Sequence, residues 1–173
     1  MRLQIFSKDV AFKASFLGYI EEWRNIIAPT SDEDYFTAYK DLLEDYEGGI
    51  KQRLSWNNPE HLEINKPFVQ FYWLIDDSNS IVGTIRYKTN VPTWQGNIGY
   101  EISPKHRNKG YGTIMLNELT QALKNRKAGS IALTVSKNNT YSIKVIEANN
   151  GVYAGTAHRP SNSEQLNVYE ILL

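Results

Sequence analysis

Residues 96–113 read Gly96-Asn97-Ile98-Gly99-Tyr100-Glu101-Ile102-Ser103-Pro104-Lys105-His106-Arg107-Asn108-Lys109-Gly110-Tyr111-Gly112-Thr113. Ile98, Tyr100 and Ile102 alternate with Gly99, Glu101 and Ser103, the period of a half-buried strand, and Pro104 ends the ladder because it has no N–H to donate. From Thr113 onward Met115, Leu116, Leu119, Ala122 and Leu123 share one helical face. Between strand and helix, two glycines in 107–112 let the backbone turn sharply and be approached without meeting a Cβ. The first N–H groups of such a helix have no internal partner and carry roughly half a positive charge, so the turn suits a phosphate. His106, Arg107 and Lys109 add to that preference. A tight strand-to-helix turn with no ligand accounts for the same Gly-x-Gly. Two familiar phosphate loops are excluded: no Gly-Lys-Ser/Thr follows, and no third glycine stands at dinucleotide-fold spacing.

Working outward, 173 residues with 41% hydrophobic content suffice for one well-buried domain spanning residues 1–173 and are short for two. The formal net charge is zero, which argues against a nucleic-acid binder held by phosphate contacts. That balance is uneven along the chain. Acids outnumber bases over residues 21–63, whereas Glu118 is the sole acid between 105 and 137. There is no cysteine, hence no disulfide framework, thiolate nucleophile or thiolate-zinc site, and the three histidines are far apart, so no metal site is expected. No apolar run approaches membrane length and residues 1–6 lack a leader's apolar core, so a cytoplasmic protein with no membrane partner is expected.

Residues 3–6 read as a strand and Asp9 as a helix cap, with Phe12, Phe16, Tyr19, Ile20 and Trp23 marking one helical face. Pro29 and the Thr30-x-x-Glu33 capping box open a second helix, with Phe36, Tyr39, Leu42, Leu43 and Tyr46 as its stripe and Gly48-Gly49 as its stop. Residues 50–67 lack periodicity and read as a long loop. A hairpin of 68–75 and 81–89 follows, then the central strand, the motif helix, and a strand over 130–135 expected to lie parallel to the central one. Asn139 opens a last helix, and 152–157 and 167–173 are the final strands.

Two segments carry a family resemblance. Arg107-Asn108-Lys109-Gly110-Tyr111-Gly112 resembles the Arg/Gln-x-x-Gly-x-Gly/Ala motif of the GNAT acyltransferases, and residues 139–147 resemble that family's Asn-x-x-Ser-x-x-apolar-apolar-Glu segment, departing from the usual ending at 148–152. The order of elements is similar to the whole fold and matches small bacterial members best, with ribosomal-protein N-terminal acetyltransferases more distant. The resemblance implies an α/β (α+β) fold with a central, mixed, mostly antiparallel sheet of about seven strands flanked by about four helices. It also implies acetyl-CoA as cosubstrate. The backbone of Ile102 and Ser103 would pair with the pantetheine arm, the run Arg107, Asn108, Lys109, Gly110, Tyr111, Gly112 and Thr113 would hold the pyrophosphate, and Asn139 and Ser142 would lie beside arm and thiol. Ile102 as core and Asn139 as an N-cap remain alternative readings.

Transfer to an amine needs a proton acceptor, because a protonated amine has no lone pair with which to attack. Glu101, where relatives often carry a glutamate, is the candidate base. Many relatives protonate the departing thiolate with a tyrosine four residues after the serine; that position is Ile146 here, so Tyr141 is the substitute candidate. The expected function is acetyl transfer from acetyl-CoA to a primary amine of a small molecule or peptide by direct attack in a ternary complex, in a monomer or homodimer. The alternative is a non-catalytic acyl-CoA-binding or regulatory module. The family's first two helices and following loop wall the acceptor cleft, and here they carry Asp32, Glu33, Asp34, Asp41, Glu44, Asp45, Glu47, Glu60 and Glu63, which favours a cationic acceptor unless these acids merely solvate an outer face.

Overall fold

The computed structural model describes residues 1–24, 26, 35–58, 60, 67–125 and 129–173. The capping box at Thr30 and Glu33, and the acids Asp32, Asp34 and Glu63, lie outside them.

Seven strands form, as the resemblance implies, but in two sheets. β1 (Arg2–Ile5), β2 (Phe68–Ile75), β3 (Ile81–Thr89) and β4 (Ile98–Ile102) make an antiparallel sheet in that spatial order. β5 (Ser130–Ser136), β6 (Val152–His158) and β7 (Gln165–Leu172) make a second, with β7 central. β5 was expected beside β4; instead the two meet only at an end. There Asn97 donates its backbone N–H to Ala132 O (2.6 Å) and accepts from Ala132 N through its side-chain Oδ1 (2.8 Å). A side-chain oxygen thus takes the place of the next backbone acceptor, so no ladder propagates from that point.

Six helices form among the described residues: α1 (Lys13–Glu21), α2 (Tyr35–Tyr39), α3 (Asp41–Glu44), α4 (Tyr46–Ser55), α5 (Tyr111–Lys124) and α6 (Thr140–Glu147). The excess over four comes from the acidic segment. Gly48 and Gly49 do not stop a helix there; they lie inside α4, and residues 50–55 are helical rather than loop. Asp45 opens α4 by accepting the Gly48 N–H at 2.9 Å. Gly49 is there for contact: a Cβ on it would stand 2.4 Å from Leu42 Cδ2 and 2.9 Å from Asp41 Oδ2. The pattern of a stop signal and that of a close helix contact are identical in sequence.

Both faces of the four-stranded sheet are covered. Tyr72, Leu74 and Ile85 pack with α5 on one side, and Phe71, Trp73 and Ile75 pack with α1 and α2–α4 on the other, as the period of two requires. The second layer is aromatic: Phe6 stacks on Trp73 with centroids 4.5 Å apart, and Phe16 meets Tyr39 edge-on at 5.6 Å. No helix among the described residues is long and apolar enough to cross a membrane.

Candidate active site

β4 is not half-buried. Tyr100 and Ile102, partly buried, pack toward α5, and Glu101 and Ser103 on the opposite face are fully buried under the aromatic layer. Glu101 Oε1 accepts from the Tyr39 hydroxyl (3.1 Å) and from the Thr84 hydroxyl, while Oε2 stands 3.8 Å from the Arg86 guanidinium. Burial first, and then the neighbouring Glu101 carboxylate, hold the Tyr39 hydroxyl well above the ordinary tyrosine range, so it stays a donor. Sequence reasoning missed Tyr39, Thr84 and Arg86. Tyr39 looked like one more apolar stripe residue, and no local pattern points from it to Glu101.

Beyond β4 the chain turns with Asn108 (φ 61°) and Gly110 (φ 77°) in the left-handed region. Gly110 is the N-cap of α5, with open space where a Cβ would stand. Ile114 N is the first amide to turn back, bonding Gly110 O at 3.1 Å, so the helix supplies no acceptor for the N–H groups of Tyr111, Gly112 and Thr113. Several contacts steady this turn. Arg107 lies over the Trp23 ring at 5.2 Å and reaches Ile102 O at 3.4 Å, and Ser103 donates to Glu22, which also pairs with Lys105 at 3.0 Å. Asn139 caps α6 by accepting the Ser142 N–H at 3.1 Å. Asn149, buried, ties the two helices by donating to Thr113 O (3.2 Å) and Val145 O (2.8 Å).

Between these parts runs a cleft of about 850 Å³. Glu101 lines it with Ile102 from β4, and Arg107, Asn108, Gly110, Tyr111, Gly112 and Thr113 line it from the turn. Asn139 and Tyr141 contribute from α6. Trp23, Tyr35, Tyr100 and Lys144 are also on its wall and were not anticipated as site residues; aromatic periodicity marked Trp23 only as core. Three expected residues are not brought to the lining. Ser103 spends its N–H on Val82 O (2.9 Å) and its hydroxyl on Glu22, so by strand alternation Ile102 is the residue whose peptide faces the gap. Lys109 lies off the wall, and Ser142 meets the site through its carbonyl, which accepts from the Tyr100 hydroxyl at 3.4 Å.

A second cavity of about 420 Å³ shares Tyr35 and Tyr100 with the cleft and is lined also by Arg86, Lys88, Trp94, Thr134 and Arg159. The acids thought to attract a cationic acceptor are placed elsewhere where they are described. Asp41 forms a two-pronged pair with Arg53 (2.8 and 2.9 Å), Asp45 caps α4, and Glu101 is the one acid on the cleft among the described residues. No group of three or more histidine, aspartate or glutamate side chains gathers in a metal-binding arrangement among the described residues.

A family model described as the acetyltransferase (GNAT) family matches residues 20–152. Among solved structures the chain is similar to ribosomal-protein-S5-alanine acetyltransferase from Vibrio fischeri, at 19% identity over 98% of this chain and 91% of that one, with a TM-score of 0.70. It is similar also to RimL, a ribosomal L7/L12 alpha-N-protein acetyltransferase in complex with coenzyme A, at 14% identity over 100% and 95%, TM-score 0.69. A spermidine N-acetyltransferase from Vibrio cholerae matches at 17% identity over 99% and 95%, TM-score 0.60. At these identities the likeness shows the fold. No curated protein matches.

Proposed function

The chain belongs to the acetyltransferase (GNAT) family, and we propose that it moves an acetyl group from acetyl-CoA to a primary amine of a small molecule or peptide by direct attack in a ternary complex, with residues 1–173 acting as one domain. One observation carries the reading: the open N-terminal turn of α5 at Gly110 and the residue Glu101 line one and the same cleft. The turn suits a diphosphate, and a carboxylate suits the proton that an ammonium must lose.

On this reading the N–H groups of 110–113 hold the phosphates, with Arg107 and Lys144 as nearby cations, and Ile102 offers its peptide to the arm. Asn139 keeps α6 in place beside it. Glu101 takes the amine's proton, directly or through water; two hydroxyl donors and, at 3.8 Å, the Arg86 guanidinium fix the position of its carboxyl group. Tyr141, at the rim and 72% exposed, is the candidate donor to the departing thiolate. A preference for cationic acceptors rests on Asp32, Glu33, Asp34 and Glu63, and a Michaelis constant for spermidine that rises with salt is its test.

Release of free thiol from acetyl-CoA, followed over a panel of amines, tests the function. Turnover with an amine supports an acetyltransferase; a CoA-dependent rise in melting temperature with no turnover on any amine supports the binding module instead.

A further inference from the structure

A reaction between two bound substrates needs two approaches to one point. Here the cleft and the second cavity have two walls in common, Tyr35 and Tyr100. On the acetyltransferase reading, on which this inference rests, the donor's phosphates lie at the Gly110 turn, and its thioester reaches the far end, where the two spaces join.

Tyr100 is anchored on both sides of that junction. Its ring packs against the core cluster of α5, and its hydroxyl crosses from β4 to the first turn of α6, donating to Ser142 O at 3.4 Å. That distance is long for an O–H···O bond, whose usual range ends near 3.0 Å. The proton therefore turns to a better acceptor at small cost. Acyl transfer creates one: negative charge appears on the thioester oxygen as the amine adds and on the sulfur as it leaves. A donor already fixed beside that charge lowers the barrier without reorganising.

We propose that the Tyr100 hydroxyl is a catalytic hydrogen-bond donor to the negative charge that develops on the thioester during acetyl transfer. The amine lone pair forms the C–N bond to the acetyl carbon, the C–S bond breaks with its electron pair going to sulfur, and the amine's surplus proton goes to Glu101 or to water. Tyr100 keeps its own proton throughout. Burial, the largest cause, pushes its hydroxyl up to about 12, well above a free thiol near 8.5, so it donates a hydrogen bond and does not ionise. Ile146 on α6 is in the core and brings no hydroxyl to this point, and Tyr141, on the cleft wall but 72% exposed, is left to supply the proton that Tyr100 keeps.

The test compares Tyr100→Phe with wild type, using acetyl-CoA and an amine that the wild type accepts, with melting curves in the absence and presence of CoA. The variant loses one oxygen and keeps its ring. The expected result is an unchanged CoA-induced melting shift, an unchanged Michaelis constant for acetyl-CoA, and a kcat lower by roughly a hundredfold, the scale for one such donor. An unchanged kcat overturns the proposal, as does a loss carried by Tyr35→Phe or Tyr141→Phe and not by Tyr100→Phe. A loss seen only in the Michaelis constant or the melting shift reduces Tyr100 to a structural part and overturns it too. If the wild type binds CoA yet releases no thiol with any amine, the acetyltransferase reading fails first, and this inference with it.

Discussion

Glu101 is held by three side chains from two elements: Tyr39 from α2, and Thr84 and Arg86 from β3. Glu101→Gln keeps the shape and removes the charge, so CoA should bind as before while turnover falls by roughly a hundredfold near neutral pH, the usual scale for a general base. The deficit should shrink as pH rises, because more of the amine is then already neutral; a rate equal to wild type at neutral pH removes Glu101 from the mechanism. Gly110 is the other residue whose replacement is informative. Its φ of 77° costs a side-chain-bearing residue about 1–2 kcal/mol, and a Cβ there meets no protein atom, only the cleft. CoA binding to the native state alone stabilises wild type by about 2.7 kcal/mol at a hundredfold excess over Kd. Gly110→Val should abolish that shift in melting temperature, and a folded variant with normal CoA binding would clear the loop of any role.

The segment α2–α4 is three short helices, and helices of this length do not stand alone. Arg53, buried on α4, holds them together: it bonds both oxygens of Asp41, donates to Ala38 O (2.6 Å) and Gly49 O (3.1 Å), and lies over the Tyr39 ring at 5.3 Å. Through Tyr39 this clamp reaches Glu101. The bonds from Arg53 hold the Asp41 carboxyl below its ordinary range. A pKa lower in the folded than in the unfolded chain gives stability that is complete above the unfolded value of about 3.9 and is lost as pH falls through the folded one. Wild type should therefore exceed Asp41→Asn in urea unfolding at pH 7, with the gap closing below pH of about 4; a gap that stays constant into acid would refute the clamp's ionic character. The carboxylate is 47% exposed, so solvent screening keeps the effect modest.

Over the whole molecule, the two sheets are joined at Asn97, which also donates to Lys88 O at 3.0 Å and thereby links β3, β4 and β5. Asn97→Ala should cost about 1–3 kcal/mol in unfolding experiments, since it leaves the Ala132 N–H without its acceptor, and should weaken CoA binding because Ile98, Gly99, Leu133 and Thr134 beside the joint line the second cavity, which shares Tyr100 with the cleft. A loss of stability with CoA affinity untouched would show that the joint does not set the cleft. Much of this architecture was legible locally. Pro104 ending β4, the left-handed glycine before α5, Asn139 capping α6 and the alternation of the hairpin strands are written in neighbouring residues, because turns, caps and periodicity depend on atoms a few positions apart. The burial of Glu101, the parting of β4 from β5 and the inclusion of Gly49 in a helix were decided by the tertiary structure. Each depends on a partner that sequence spacing does not reveal: Tyr39 lies 62 residues from Glu101, Ala132 lies 35 from Asn97, and the Leu42 side chain against Gly49 becomes a neighbour only when α3 folds onto α4. Local chemistry fixes which conformation a residue favours, whereas what covers it is settled by contacts formed only once the chain has folded.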